Sequence, residues 1–182
     1  MKYTFITGNA NKAKYVAQWL GQEVPHHKLD LDEIQTFDLH QLVEHKARQA
    51  YGILKKPVMI EDAQLAFAAL GRLPGPFIKW FVQELGPQGV ADILTGFHDR
   101  SASGVCCYAL FDGKNLRFFE GEMHGSIAHE ARGTGGFGFD PIFINDGYTI
   151  TRAEMSEAEY AKTSYRKKAL DKLVAYLKAE AK

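Results

Sequence analysis

The sequence predicts an α/β fold built on a mixed sheet. Three observations predict it: an opening β-α-β-α-β order, a short apolar run that ends in two acids at 58–62, and two long strands joined by a turn at 112–115. A helical insert and a final helix complete the order, which argues against a purely parallel sheet.

The elements follow in chain order. Residues 2–6 (KYTFI) read as a short strand, and Thr7-Gly8-Asn9 as a turn. A helix follows from about Asn11 to Leu20, with Val16, Trp19 and Leu20 at helical spacing. Residues 38–54 read as a second helix, closed off by Pro57. Val58-Met59-Ile60 is too short an apolar run for a helix and suits a buried strand, which delivers Glu61 and Asp62 at its C-terminal end. Leu73-Pro74-Gly75-Pro76 is a turn, with Pro76 in the first turn of a helix over Phe77–Leu85. Another helix follows Gly86-Pro87. Residues 103–111 and 115–128 read as strands around the turn Asp112-Gly113-Lys114-Asn115. Gly133 to Gly138 holds four glycines and reads as a loop. Leu170, Leu173, Val174 and Leu177 mark an amphipathic C-terminal helix.

Composition narrows the class. The 182 residues fit one globular domain over 1–182, with room for two lobes. Apolar residues make up 46%, enough for a sizeable core. Basic and acidic residues balance at 22 each, so a strongly basic nucleic-acid surface is not the default. No apolar run approaches the roughly 20 residues that span a bilayer, and MKYTFITGN does not read as a signal peptide. Cys106 and Cys107 are adjacent, so on a strand they point to opposite faces. A bridge between them would be badly strained. Two free thiols suit a reducing, cytosolic setting.

Four constellations are candidates for chemistry. In Thr7-Gly8-Asn9-Ala10-Asn11-Lys12 a strand enters a small-residue turn and a helix opens. Helix N-termini present unpaired N–H groups and a partial positive charge, which favour a phosphate, and Lys12 adds a full charge. The glycine spacing is not that of a P-loop. The alternative is a Thr or Asn cap with an exposed lysine. Second come Asp30, Asp32, Glu33, Glu61 and Asp62. Mg²⁺ prefers oxygen ligands, often one or two carboxylates plus substrate phosphates. Glu33 and Asp62 are the candidates, whereas Asp30 and Asp32 read as solvated or capping acids. Third, Phe137 and Phe139 in Gly135-Gly136-Phe137-Gly138-Phe139-Asp140-Pro141 could stack on a planar base, or belong to the core. Fourth, Arg166 in Ser164-Tyr165-Arg166 could bind a base edge or phosphate with two donors. The alternative there is a basic, solvated helix start. The histidines show no HxH or HExxH spacing for zinc, and no GxSxG element supports a serine hydrolase.

Together these pieces resemble the inosine triphosphate pyrophosphatase family, the non-standard purine NTP pyrophosphatases. The resemblance runs through the whole chain. It includes TGNANK at 7–12, IED at 60–62, ALGRLPGPFIKWF at 69–81, GFGFDPIF at 136–143, AEMS at 153–156 and the Ser-x-Arg of 164–166. The LPGPFIKWF and GFGFDPIF segments are the most specific.

The resemblance implies a long, curved mixed sheet with flanking helices and two lobes around a cleft. It implies a cytoplasmic homodimer that uses Mg²⁺ to hydrolyse ITP, dITP and XTP to the monophosphate and pyrophosphate, with no nucleic-acid or membrane partner. By the same resemblance Lys12 and Lys46 contact the triphosphate, with Thr7, Gly8 and Asn9 in the phosphate turn and Lys79 reaching the phosphates. Glu33 and Asp62 hold Mg²⁺ or orient the attacking water. Phe137, Phe139 and Asp140 form the base pocket, and Ser164 and Arg166 line its far side. Asp62, Glu33, Lys12 and Lys46 are the catalytic set.

The chain departs from the family pattern at three places. The hydroxyl that commonly follows the metal acid is Ala63 here. The family's Glu-Lys-Asn is Glu159-Tyr160-Ala161, and its Ser-His-Arg is Ser164-Tyr165-Arg166. That lysine and histidine help to recognise a 6-oxo purine in the family. The alternatives are therefore the same reaction on another base, modified or pyrimidine, or nucleotide binding with little catalysis.

Overall fold

The computed structural model describes residues 2–180, apart from the side chain of Asn11. The first strand, β1 (Thr4–Ile6), buries Phe5 and Ile6. The turn after it leads into α1 (Ala10–Leu20). Asn9 starts this helix: its Oδ1 accepts from Lys12 N at 3.3 Å and its carbonyl accepts from Ala13 N at 3.2 Å. Such a cap satisfies one of the orphan N–H groups of a first turn. A two-residue strand, β2 (His26–His27), pairs parallel to β1.

α2 (Leu39–Leu54) is capped by Asp38, which accepts from His40 N and Gln41 N. Its buried stripe is Leu39, Leu42, Val43, Ala47 and Ala50, at helical spacing. β3 runs from Val58 to Phe67 and is longer than the sequence suggested. Glu61 and Asp62 therefore lie inside the strand and not at its end. The strand continues because Leu65 and Phe67 alternate inward, fully buried, and Leu65 pairs with Gly75 of β4 (Pro74–Gly75).

α3 (Ile78–Asp92) unites the two helices expected around Gly86-Pro87 into one kinked element. Gly86 leaves helical geometry at φ 68, ψ 171, because Pro87 offers no N–H and crowds the preceding turn. Pro76 lies before the helix cap, Phe77, and so outside the first turn. β5 (Ser101–Phe111) and β6 (Leu116–Ile127) form the expected strand pair. Asp112 Oδ1 closes their turn by accepting from Lys114 N at 3.0 Å and Asn115 N at 2.7 Å. β7 (Phe143–Asn145) pairs antiparallel to β6, with Gly125 opposite Asn145. A Cβ on Gly125 would strike the Ile144 carbonyl, so only glycine fits this ladder. α4 (Glu157–Thr163) opens with a Ser156–Glu159 capping box. α5 (Tyr165–Glu180) buries Tyr165, Ala169, Leu170 and Leu173.

The seven strands form one mixed sheet in the order β2-β1-β3-β5-β6-β7, with β4 pairing β3. The chain divides into two compact units. One comprises 1–63, 106–121 and 166–182; the other comprises 64–105 and 122–165. In the first unit the sheet is covered on both faces. Tyr51 of α2 packs edge-on to Phe111 at 5.3 Å, and Phe5 packs on Tyr108 at 6.4 Å. Alternation along β5 puts Cys107 and Phe111 on the α2 side, and Cys106 and Tyr108 on the other. Arg166 of α5 and Lys12 of α1 both reach Glu61, on the side away from α2. Among the described residues no helix is long and apolar enough to cross a membrane.

Candidate active site

Two adjacent acids on β3 organise the first unit. Successive side chains on a strand point to opposite faces, so Glu61 and Asp62 serve different clusters.

Glu61 has a fully buried carboxylate. Lys12 Nζ lies against its Oε2, Arg166 Nε lies 3.3 Å from its Oε1, and Cys106 Sγ donates to the same oxygen at 3.4 Å. Burial pushes the Glu61 carboxyl up, but Lys12 and then Arg166 overcome it and hold the group down at about 2. Two cations against one carboxylate leave this cluster with a net positive charge of one. Such a surplus favours an anion. Lys12 stands beside the turn in which Thr7 Oγ1 accepts from Asn9 N at 3.0 Å. The stem of Lys28 lies 3.2 Å from where a Cβ on Gly8 would stand.

Asp62 faces α2. Lys46 Nζ donates to Asp62 Oδ2 at 2.7 Å and to Glu33 Oε1 at 3.0 Å. Glu33 sits on a segment without regular structure, and its neighbour fixes it there. Asp32 N donates to Gln49 Oε1 at 2.9 Å, and Gln49 Nε2 donates back to Asp32 Oδ2 at 3.0 Å. Asp32 thus ties the segment to α2, where the sequence suggested a solvated or capping acid. Burial would lower the Lys46 pKa, but Asp62 and Glu33 raise it above the ordinary lysine value. One cation against two carboxylates leaves a net negative charge of one. The donors are all carboxylate oxygens, the hard ligands that suit Mg²⁺ with water and phosphate completing its shell. The pair fits that ion on donor chemistry and charge. Asp62 Oδ1 accepts from Ala63 N at 2.9 Å, which fixes the carboxylate.

The second unit holds the aromatic loop. Phe137 is exposed at 42%, whereas Phe139 is buried and packs near Phe143 and Tyr165, at 6.2 and 6.4 Å. The two phenylalanines of one motif therefore divide between a surface and a core position. Asp140 is buried and accepts three hydrogen bonds. Arg152 Nε donates at 2.9 Å to Oδ1; Phe137 N at 2.8 Å and the Tyr160 hydroxyl at 3.0 Å donate to Oδ2. Arg152 is fully buried, donates to Asn145 Oδ1 at 3.0 Å and stacks over the Tyr160 ring at 4.2 Å. Gly136, at φ 69, lies so close to Asp140 that a Cβ would collide with the carboxylate. Ser164 is buried and caps the end of α4. Lys79 is exposed on α3, 4.7 Å from the Trp80 ring.

Thr7, Gly8, Asn9, Lys12, Glu33, Lys46, Asp62 and Arg166 thus lie in the first unit, and Lys79, Phe137, Phe139, Asp140 and Ser164 in the second. Arg166 stands with Lys12 on Glu61. Sequence reasoning placed Glu61 among the candidate acids without assigning it a role, and it missed Arg152. For Glu61 a signal existed, since a charge after a buried apolar run demands counter-ions. Arg152 carries none beyond its place next to AEMS.

The Ham1 family profile matches residues 3–176. The chain belongs to the Ham1 family. An inosine triphosphate pyrophosphatase of Batrachochytrium dendrobatidis is 46% identical over 171 residues, covering 91% of this chain and 88% of that protein. One of the same name from Yarrowia lipolytica is 41% identical over 186 residues, covering 100% and 98%. A solved HAM1 protein from Coxiella burnetii superposes with TM-score 0.86 at 28% identity, covering 98% of this chain and all of that one. The mixed sheet is therefore the Ham1 sheet. The Tyr160 hydroxyl is spent on Asp140, and Tyr165 is buried beside Phe139.

Proposed function

We propose that this chain hydrolyses nucleoside triphosphates of the inosine and xanthosine type, ITP, dITP and XTP, to the monophosphate and pyrophosphate. The relatives that carry the pyrophosphatase name support the reaction class. The single observation that carries the chemistry is the opposed charge of two neighbouring clusters. Glu61 with Lys12 and Arg166 is net positive, and Asp62 with Glu33 and Lys46 is net negative. A magnesium–polyphosphate substrate needs one of each: cations for its phosphates and hard anions for its metal.

In this reading Lys12 and Lys46 hold the phosphates and offset charge on the departing pyrophosphate, since donors fixed before reaction need not reorganise. Thr7, Gly8 and Asn9 shape the phosphate turn at the start of α1, where the helix end favours an anion. Lys79 adds a further cation for the phosphates. Mg²⁺, held by Glu33 and Asp62, would supply charge neutralisation on the polyphosphate. Glu33 and Asp62 also orient the water that attacks the α-phosphorus. Phe137 offers the exposed aromatic surface for the base, and Phe139 backs the pocket from its core position. Asp140 keeps their loop in shape, and Ser164 and Arg166 complete the substrate contacts. Homodimerisation belongs to the same proposal and rests on the resemblance. So does a cytosolic location, which the two free, buried cysteines also suit.

The test is pyrophosphate release from a panel of ITP, dITP, XTP, dATP and dCTP with Mg²⁺. Release is expected, fastest with the 6-oxo purines, and lost in Asp62→Asn. No release from any substrate, with nucleotide binding intact, would overturn the reading. A second reading, the same reaction on another base, is favoured by the tyrosines at 160 and 165. It predicts dITP and XTP no better than dATP or dCTP.

A further inference from the structure

A separate group of ligating side chains lies on the α2 side of the first unit. Cys107 of β5 faces this side, opposite to Cys106. Phe118 and Glu120 of β6 alternate onto one face together. His40, in the first turn of α2, stacks on Phe118 with ring centroids 4.2 Å apart and planes 2° from parallel. Its backbone N–H is held by Asp38 Oδ1 at 2.9 Å. Both ends of this histidine are thus fixed before any ligand arrives.

One donor atom from each of His40, Cys107 and Glu120 lies within 4.8 Å of the others. His40 Nε2 is shielded from solvent and forms no hydrogen bond, although Glu120 Oε1 is only 2.9 Å away. The approach is therefore close but off the N–H axis, unlike an ordinary His–Glu pair. The His40 and Glu120 side chains remain 44% and 43% exposed, whereas Cys107 is buried.

We propose that His40, Cys107 and Glu120 bind a borderline divalent cation, with Zn²⁺ as the best match. One imidazole nitrogen, one thiolate and one carboxylate make a three-ligand set with a fourth position open to water. The donor set differs in kind from the all-oxygen pair at Glu33 and Asp62, so the two sites select different ions. Without a cation, burial and then the Glu120 charge hold the Cys107 thiol well above its ordinary range. A bound cation reverses that cost: the thiol proton leaves to solvent and the thiolate becomes a ligand. The Phe119 backbone acts in the same direction by hydrogen-bonding to the sulfur.

The test uses the full chain in excess Mg²⁺, which fills the carboxylate pair. Co²⁺ is titrated first, then displaced by Zn²⁺. One equivalent of Co²⁺ should give a thiolate-to-cobalt charge-transfer band in the near ultraviolet, and Zn²⁺ should abolish it. Cys107→Ser removes the band. His40→Gln and Glu120→Gln, both at half-exposed positions, each weaken Zn²⁺ binding by at least about tenfold. His124→Gln, in the exposed His124–Glu122 pair, leaves band and affinity unchanged. The proposal is overturned by absence of the band, by its survival in Cys107→Ser, or by wild-type Zn²⁺ affinity in either His40→Gln or Glu120→Gln.

Discussion

Lys46 Nζ donates to Asp62 Oδ2 at 2.7 Å, a bond that joins α2 to β3. The same ammonium reaches Glu33 at 3.0 Å and keeps the two carboxylates together. Lys46→Met should therefore act on two quantities. The rate falls by about 10²–10³-fold, the loss expected when one preset donor to developing charge is removed. Melting temperature also falls in the absence of Mg²⁺, because two carboxylates then face each other unscreened. Added Mg²⁺ should raise the melting temperature of the variant more than that of the wild type. An equal rise in both would mean that Lys46 and the ion do not share these acids.

Metal removal follows from the same pair. Chelation should stop pyrophosphate release, and Mg²⁺ should restore it in full. In the proposed site Glu33→Gln removes one of two charged ligands, so it should demand a higher Mg²⁺ concentration for half-maximal rate. Asp62→Asn should fail at any concentration, because its carboxylate is the one fixed on the sheet. Titrating the rate against Mg²⁺ for the three proteins distinguishes these outcomes. Identical Mg²⁺ dependence in Glu33→Gln and wild type would remove Glu33 from the ligand set.

Glu61 sets an acid limit on stability. Its carboxyl stands at about 2 in the folded chain against an ordinary value of 4.5. A depressed carboxyl stabilises the fold above its unfolded value and loses that contribution as pH falls toward the folded value. The contribution, roughly 3 kcal/mol by the size of this shift, should fade between pH of about 4.5 and 2. Glu61→Gln should flatten the stability curve across that window. It should also be less stable at neutral pH, since Lys12 and Arg166 lose their shared partner. Denaturant melts at several pH values provide the check. A variant as acid-sensitive as the wild type in that window would refute the assignment.

The sequence made the polar turn and the strand pair legible because both rest on local chemistry. Asn9 caps its own helix, and Asp112 closes its own turn. It understated β3, because Ala63 and Gln64 interrupt the apolar signal while pairing with β4 continues the strand. β7 escaped notice, and β2 stood in the expected β-α-β-α-β order without a range, for a related reason. Strands of two or three residues owe their existence to neighbours, and His26-His27 has no apolar pattern to reveal it. In the site, single charges were legible but their partners were not. Lys12, Glu33, Lys46 and Asp62 stand out as types, but contact between residues 12, 61 and 166 is a product of topology alone. The double role of the aromatic loop was hidden likewise: no local feature divides exposed Phe137 from buried Phe139.

Asp140 and Arg152 form a buried pair, and removing one partner leaves the other charge uncompensated. Asp140→Asn should destabilise the chain by about 3–5 kcal/mol, more than any surface substitution. Arg152→Met with Asp140→Asn should recover part of that loss, since replacing both members of a buried pair is often nearly neutral. A double-mutant cycle in denaturant measures the coupling. A double variant no more stable than Asp140→Asn would mean that Asp140 acts through Phe137 and Tyr160 and not through Arg152.

Tyr160 allows the loop itself to be tested. Its hydroxyl donates to Asp140 Oδ2 at 3.0 Å, and that oxygen also receives Phe137 N at 2.8 Å. Tyr160→Phe removes one donor but keeps the ring on which Arg152 stacks. Stability should fall by about 1 kcal/mol, a melting shift of about 2–4 °C for a chain of this size. The aromatic loop loses one of its fixings, so KM for the triphosphate should rise by about tenfold while kcat stays within about twofold. Tyr160→Lys installs the lysine that the resemblance implies here but should not bring selectivity for a 6-oxo purine. An ammonium there would face Arg152 without an aromatic ring to shield it, and both cations would compete for Asp140. That variant should therefore be less stable than Tyr160→Phe, and any gain for ITP over dATP should appear only when Arg152 is also neutralised. Steady-state kinetics on both nucleotides, read beside the melting shifts, decide it. A Tyr160→Lys protein that is stable and selective for ITP with Arg152 intact would show that the tyrosine has no structural part in holding the loop.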